Sequence, residues 1–257
     1  MAACKDCEEP LLLEVEDDET GQTQSIPDDL ELPCGCHYHW QCLLDQAAEV
    51  AMSLKCPACQ SQIAANSAGP SVTNPFLHTT PSAKILTRYH NEGGLQESLD
   101  ILPSITEEAY LAANPEARPA RAYHVMCSEG DVGGIVELLR DVEQGDGDEP
   151  SMNPMQLLRY QDPLSGSKSG LHLAVEKAQE EVLWLLLWLA SPLPTDVFPA
   201  AAVEAAQSMG LQRPSTGRAD DIRLLQDDRG RTAESIATEM DGIWSMVVQA
   251  GALHPGV

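Results

Sequence analysis

Apolar and polar residues alternate with different periods along the chain, and each period predicts a different kind of element. Residues 11–15 are apolar apart from one glutamate and predict a short strand inside an acidic loop that spans residues 8–33. Residues 43–52 combine good helix formers with apolar side chains at helical intervals. They predict a helix that ends before Lys55.

Past the first sixty residues, the pattern predicts a linker followed by two helices. Residues 61–81 are rich in Ser, Asn, Pro and Gly, which is typical of a linker. A helix is predicted over 81–90, because its first residue is a proline, which can open a helix. The second helix is predicted to begin at Ser104, whose hydroxyl forms a capping box with Glu107, and to end at Asn114.

From Ala117 onward, one order of elements recurs: a turn, a short helix and a more apolar helix. The three helix pairs are 123–131 with 135–139, 171–175 with 182–187, and 232–237 with 247–252. Insertions near 144–155 and 191–219 make the units unequal in length. Each pair exposes an apolar face that a neighbouring pair must cover, and about three units are the minimum for a stable stack.

The net charge of the chain narrows the classes of molecule that it is expected to bind. The chain has 257 residues with 40 acidic and 15 basic side chains, a net charge of -25. Nucleic acid is therefore not expected as a partner, whereas basic protein surfaces are. The first residues lack the features of a signal peptide, and the longest apolar run, 182–190, is shorter than the ~18 residues that span a bilayer. We expect a soluble intracellular protein, cytoplasmic or nuclear, with no membrane partner.

The cysteines are concentrated near the N-terminus at the spacings of metal ligands. Seven of the 8 cysteines lie between Cys4 and Cys59. With one histidine they form four pairs: Cys4 and Cys7, Cys34 and Cys36, His39 and Cys42, Cys56 and Cys59. Since a Cys-x2-Cys turn aims two thiolates at one tetrahedral ion, the pattern predicts two zinc ions. So small a region cannot bury enough apolar area, and zinc would supply ~10–16 kcal/mol per site.

The order of these ligands resembles the RING-type zinc finger, in which Pro57 would follow the seventh ligand. The resemblance implies an interleaved cross-brace with two closed, structural sites. One zinc would be held by Cys4, Cys7, His39 and Cys42, and the other by Cys34, Cys36, Cys56 and Cys59. His37 is an alternative to Cys36, whose distance from His39 fits the family better. PHD fingers and a RING variant of membrane-bound ligases place the central histidine further from the preceding cysteine.

RING domains dock a ubiquitin-conjugating enzyme and position its thioester-linked ubiquitin, so the resemblance implies a ubiquitin ligase without a catalytic residue of its own. The residues that would contact the enzyme are Asp6, Leu43, Pro57 and Gln60. Asp6 replaces an apolar residue, Gln60 replaces an arginine but can still donate a hydrogen bond, and Ala48 and Glu49 stand where a tryptophan is common. The acidic loop is either a partner site or a solvated face.

The repeated units resemble ankyrin repeats. Their Thr-Pro-Leu-His-x-Ala hallmark is matched in part by Leu171, His172 and Ala174. The resemblance implies a protein-binding scaffold that uses its turn tips and concave helical face. It also implies that His124 and His172 bond to backbone in the turns, while Trp184 and Trp188 pack inside the array. The alternative is an unrelated helical bundle.

These patterns predict a mainly α chain. A small zinc-stabilised α+β RING-like module is expected at 1–62, a linker with connector helices at 63–116, and about three divergent ankyrin repeats at 117–257. The predicted function is a RING-type E3 ubiquitin-protein ligase that binds a ubiquitin-conjugating enzyme through the zinc module and recruits a protein substrate through the repeats. The alternative, favoured by Asp6 and Gln60, is a non-catalytic zinc-finger and ankyrin adaptor.

Overall fold

The computed structural model describes residues 2–16, 23–65, 83–145, 152–240 and 242–256. The middle of the acidic loop at 17–22 and most of the predicted linker, 66–81, lie outside those ranges. The chain divides into an N-terminal unit, Met1–Pro115, and a C-terminal unit, Glu116–Val257. About half of the described part is helical and its strands form small antiparallel sheets, so the prediction of a mainly α chain holds only in part. Within the described ranges, no helix is long and apolar enough to cross a lipid bilayer.

The N-terminal unit mixes short strands with helices around a small core. Its elements are β1 Leu12–Glu16, β2 Thr23–Pro27, β3 Asp29–Glu31, β4 His37–Tyr38, α1 Trp40–Leu44, α2 Ala47–Ser53, β5 Leu86–Asn91, β6 Gly94–Asp100 and α3 Leu102–Ala113. Strands β1 and β2 form an antiparallel hairpin in which Leu13 pairs with Ile26, which confirms the strand predicted from 11–15. A second antiparallel sheet has the strand order β4-β3-β5-β6.

The helical segment predicted over 43–52 is present but is split into α1 and α2. Helix α2 ends where Leu54 adopts a left-handed φ of 55°. The apolar face of the segment forms the centre of the core, with Leu43, Val50 and Ala51 each 0% exposed. Helix α3 packs against both α1 and α2. The helical period therefore identified the buried face correctly.

The helix predicted over 81–90 is wrong for the residues that the structure describes, because 86–90 belong to strand β5; residues 81–82 lie outside the described ranges. Strand β5 pairs with β3 on one side and with β6 on the other. Thr87 is buried while its two neighbours are exposed, which is the alternation of a strand. The turn after β5 has its own signal: the Asn91 side chain accepts a hydrogen bond from the Gly93 N–H at 2.9 Å, and Gly94 has a φ of 101°.

Helix α3 begins before the predicted capping box. It begins at Leu102, so Ser104 lies inside the helix and does not cap it. The carboxylate of Asp100 accepts the N–H of Leu102 at 3.2 Å and that of Ile85 at 3.0 Å, which joins the end of β6 to the start of the helix. The predicted end is confirmed, since Asn114 is the C-terminal cap.

The C-terminal unit is a stack of helix pairs over a large apolar core. Its elements are α4 Arg118–Glu129, α5 Val132–Gln144, α6 Pro154–Leu158, β7 Gln161–Asp162, β8 Lys168–Ser169, α7 Gly170–Glu176, α8 Glu180–Ala190, α9 Ala200–Ser208, α10 Ala233–Glu239 and α11 Ser245–Gln249. Helices α4 and α5, α7 and α8, and α10 and α11 pair with each other, and α7 packs against both α4 and α10. The helix predicted over 182–187 is confirmed as part of α8.

Two buried histidines tie helices of the stack to later turns. The Nε2 atom of His124 on α4 lies 3.3 Å from the Tyr160 carbonyl oxygen, and that of His172 on α7 lies 3.0 Å from the Arg231 carbonyl oxygen. Burial lowers the pKa of His124 to about 4 and also lowers the pKa of His172. Both rings are therefore neutral at pH 7 and donate from Nε2 to backbone, as the resemblance implies.

Buried carboxylates also organise two turns of the stack, one at 162–166 and the other at 227–231, which are the second and third turns of the repeated units. Asp162 accepts the N–H of Leu164, and Asp227 accepts the N–H of Arg229, both at 2.9 Å. The turns also bond directly to one another, because the Asp228 N–H donates to the Gly166 carbonyl at 2.9 Å. Gly166 has a φ of 68°, a conformation that favours glycine.

A buried ion pair holds the C-terminal segment on the stack. The side chains of Asp221 and Arg223 are both 0% exposed. The Asp221 carboxylate accepts from Arg223 Nε at 3.0 Å and from Nη2 at 2.9 Å. The same guanidinium donates to the carbonyl oxygens of Ala252 at 3.3 Å and His254 at 2.8 Å. The arginine is therefore enclosed by acceptors from two parts of the unit.

We expect Asp221→Ala to destabilise the C-terminal unit by about 3–5 kcal/mol, because it leaves the Arg223 guanidinium buried without a counter-charge. Urea denaturation followed by tryptophan emission measures the loss. Asp220→Ala is the matched control, since Asp220 is exposed. Equal losses in the two variants would contradict the role of the buried pair.

Candidate metal centre

The first and third pairs of predicted ligands meet in one cluster. The ligand atoms of Cys4, Cys7, His39 and Cys42 all lie within 4.8 Å of one another. Nδ1 of His39 faces the sulfurs, at 3.3 Å from the Cys7 Sγ and 3.7 Å from the Cys42 Sγ. Cys4 and His39 are buried, whereas Cys7 is exposed, so the cluster lies at the edge of the core.

The orientation of His39 is fixed by a bond on its other nitrogen. Nε2 lies 2.8 Å from the Pro10 carbonyl oxygen, which can only accept, so Nε2 carries the proton. The Nδ1 lone pair is then directed at the three sulfurs, which is the form of imidazole that binds a metal. The backbone N–H of His39 also donates to the Cys4 Sγ at 3.4 Å.

The second and fourth pairs meet in the other cluster. The sulfurs of Cys34, Cys36, Cys56 and Cys59 all lie within 4.8 Å of one another. The hydroxyl of Tyr38, a side chain with 0% exposure, lies 3.5 Å from the Cys56 Sγ and accepts the Ala58 N–H at 3.0 Å. Since its lone pair accepts from Ala58, the hydroxyl proton is available to the sulfur.

The structure distinguishes Cys36 from His37 as the fourth ligand in sequence order. Cys36 is in the four-sulfur cluster, while the Nδ1 of His37 lies 2.7 Å from the Asp29 carboxylate. Cys36 immediately precedes β4, which begins at His37, and successive residues of an extended chain point to opposite sides. The cysteine expected from the spacing is therefore the one with metal-binding geometry.

The first and last Cys-x2-Cys pairs use the same backbone turn. The residue after each pair has a left-handed conformation, with φ of 65° at Glu8 and 58° at Gln60. The N–H of Glu8 donates to the Cys4 carbonyl at 3.1 Å, and the N–H of Gln60 donates to the Cys56 carbonyl at 2.8 Å. This turn closes the loop behind the thiols and points both of them to one side.

Zinc fits both clusters by the number and type of their donors. One cluster offers three sulfurs and an imidazole nitrogen, and the other offers four sulfurs. Four donors occupy all four coordination positions of a tetrahedral zinc ion, as in structural sites. Burial and the neighbouring thiols raise the pKa of Cys36 to about 12. Zinc would supply the positive charge that ionises such thiols, so uptake releases protons and apparent affinity rises with pH.

The four residues predicted to contact a partner differ in their exposure to solvent. Asp6 and Gln60 are exposed and Pro57 is half-buried. Leu43 is 0% exposed and packs in the core, so it offers no surface to a partner, which corrects the expectation from the sequence. Ala48 and Glu49 are exposed on α2.

Side-chain hydrogen bonds join the exposed residues that the sequence predicts to contact a partner to the beginning of α2. Gln46 donates through Nε2 to the Asp6 carboxylate at 2.7 Å. Gln60 donates through Nε2 to the Pro57 carbonyl at 3.0 Å and to the Glu49 carboxylate at 3.5 Å. We call Asp6, Gln46, Glu49, Pro57 and Gln60 the zinc-loop face, because it brings one turn from each cluster to the same helix.

Three contributors to this region were missed in the sequence. The Pro10 carbonyl that orients His39 carries no side-chain signal, and Gln46 is an ordinary helix-start residue until Asp6 is placed beside it. Tyr38 did have a signal, since it is an aromatic residue between ligands.

No family model, curated protein or solved structure matches this chain. The class that the structure itself defines is a two-unit protein with two cysteine and histidine clusters, each of which offers four donors to a metal ion.

We expect native mass spectrometry to find two zinc ions per chain, because each cluster supplies a complete set of four donors. Cys34→Ser should reduce the count. Cys127→Ser is the control, since this buried thiol lies outside both clusters and its loss should leave two ions. A wild-type count of zero or one would exclude the paired sites.

Tyr38→Phe should retain two zinc ions but weaken the four-cysteine site by roughly 10-fold, the lower end of the effect of outer-shell partners on metal affinity. Competition with a chromogenic chelator measures the affinity. Tyr89→Phe is the comparison, because its hydroxyl bonds to Asp28 at 2.9 Å and not to a ligand. If the zinc affinity of both variants falls by the same factor, the hydroxyl of Tyr38 has no specific role.

Proposed function

We propose that the N-terminal unit is a RING-type zinc module and that the chain is an E3 ubiquitin-protein ligase. The observation that carries the proposal is the alternation of ligand pairs between the two clusters, first with third and second with fourth. The cross-brace of the RING family has this arrangement. A zinc finger built from consecutive pairs would place neighbours in the sequence on the same ion.

The zinc-loop face is the proposed docking site for a ubiquitin-conjugating enzyme. Pro57 and Gln60 belong to the turn of one cluster and Asp6 to the turn of the other, and α2 lies between them. Asp6 and Glu49 make this face acidic, which suits the basic residues that conjugating enzymes often present. Because this interaction is charged, binding should weaken as the salt concentration rises.

The ligase activity would be positional and would use no nucleophile from this chain. The side chain of Gln60 is exposed and occupies the place of the family's arginine, so its amide would exchange its bonds to Pro57 and Glu49 for bonds to the conjugating enzyme and to ubiquitin. Holding the thioester beside a recruited lysine raises its effective concentration without acid or base catalysis. Zinc would maintain the fold of the docking face and remain outside the reaction.

We assign the C-terminal unit to substrate recruitment as a divergent ankyrin array. Three features support this: the stacking of helix pairs, the histidine bonds to later turns, and the direct bond between the second and third turns. Ankyrin arrays bind proteins, and linking one to a docking module increases the local concentration of the substrate. A function in ubiquitin transfer also implies an intracellular location.

A non-catalytic adaptor is the second candidate, and the chemistry of the zinc-loop face favours it. Asp6 is charged where the family has an apolar contact, and Gln60 lacks the positive charge of the usual arginine. An acidic, polar face of this kind can bind proteins without activating a thioester. In that case zinc would only fold the N-terminal unit.

The two candidates are separated by the discharge of ubiquitin from a panel of conjugating enzymes. For a ligase we expect discharge with at least one enzyme and a gain of about tenfold with Gln60→Arg, because a charge-assisted donor replaces a neutral one. Gln24→Arg adds the same charge at an exposed position on β2 and should have no effect. Absence of discharge with every enzyme, for both wild type and Gln60→Arg, would support the adaptor.

A further inference from the structure

The C-terminal unit has an apolar groove between α5, α8 and α9, with a volume of about 340 Å³. Its floor includes Trp184, Leu185 and Trp188 from α8, which are 7%, 5% and 8% exposed, and Val132 at the start of α5 also lines it. Helix α9 also lines the groove, with the small side chains of Ala201, Ala202 and Ala205. Small side chains there allow the backbone of a bound segment to approach closely.

The aromatic floor of the groove is held in place before anything binds. Phe198 packs against both indoles, with ring centroids 5.6 Å from Trp184 and 5.4 Å from Trp188. The guanidinium of Arg213 lies 5.5 Å from the Trp188 ring and 4.8 Å from the Phe198 ring. Side chains that are already ordered lose little entropy on binding, which is typical of anchor sites in interfaces.

Charge at the groove is negative at one end. Glu180 and Glu181, the first two residues of α8, line it and are exposed. No lysine or arginine lines the groove among the described residues. Glu180 accepts a long hydrogen bond from the Trp184 Nε1 at 3.4 Å, which leaves its other carboxylate oxygen available. A ligand that covers this end must therefore be positive or remain outside it.

We propose that this groove binds an amphipathic helical segment of a partner protein, with its apolar side chains on Trp184 and Trp188 and its lysines or arginines beside Glu180 and Glu181. The apolar floor is complementary to the hydrophobic face of such a helix, and the two carboxylates are complementary to its basic side chains. An acidic segment would be repelled here, and also by a chain whose net charge is -25.

The groove differs from the surface that the ankyrin resemblance implies. Helix α8 is the second helix of its pair, and α9 lies within the insertion at 191–219. Turn tips and first helices, which form the usual concave face, do not line it. The inference rests on the proposed function only in naming this segment as part of a recruited substrate, and binding of the segment requires neither ubiquitin nor zinc.

The test is selection from a library of helical peptides of about 15 residues, displayed against the immobilised full chain. We expect the selected peptides to combine apolar residues at helical spacing with an excess of Lys and Arg. Ala205→Trp, which fills the groove from an exposed position, should weaken their binding about tenfold. Ala200→Trp is the control, since it adds the same side chain to α9 outside the groove.

Charge reversal provides the second variant. Glu181→Lys should weaken the selected peptides about tenfold, whereas Glu204→Lys, exposed on α9 outside the groove, should not. Three outcomes would each overturn the proposal: selection of acidic peptides, binding that survives Ala205→Trp, and a groove that binds only an uncharged apolar dye. A peptide that binds a chain without ligase activity would support the groove and contradict the ligase, so the two failures are distinguishable.

Discussion

The N-terminal unit depends on gathering seven thiols and one imidazole into two sets of four. Thiolates repel one another, so a cation of the kind that these donors prefer is what allows them to remain ionised at such short distances. The rest of the unit is arranged around this requirement. The left-handed turns after Cys7 and Cys59 aim the sulfurs, the Pro10 carbonyl sets the imidazole, and the Tyr38 hydroxyl supports Cys56.

The C-terminal unit achieves order by different means. Its helices bury a continuous apolar face, and its turns are joined by buried polar groups whose partners come from distant parts of the sequence. A neutral histidine, a buried carboxylate and a buried arginine each satisfy backbone groups that a helix stack would otherwise leave without partners. Removing any one of them leaves its partner buried and unsatisfied, which makes these sites more sensitive than their small number suggests.

The sequence carried most of the information about the metal ligands, because ligand spacing is a local property with strict geometry. It carried less about elements that depend on distant neighbours. The segment around Thr87 has a proline before it and reads as a helix, yet it is a strand because β3 offers an open edge and the turn at Asn91 returns the chain to form β6. Leu43 failed as a docking residue for the same reason: only tertiary packing shows that α3 covers it. The groove beside Trp184 could not be foreseen, since it needs a helix from an irregular insertion to form its wall.

The pairing of β3 with β5 has a consequence for the size of the unit that must fold. All eight ligands lie before residue 60, but the strand that completes the edge of β3 and the helix that covers α2 come from 86–113. A fragment cut after the last ligand would keep every metal donor and still expose a strand edge and an apolar helix face, both of which favour self-association. The shortest chain that can bind zinc and the shortest chain that can remain monomeric are therefore different.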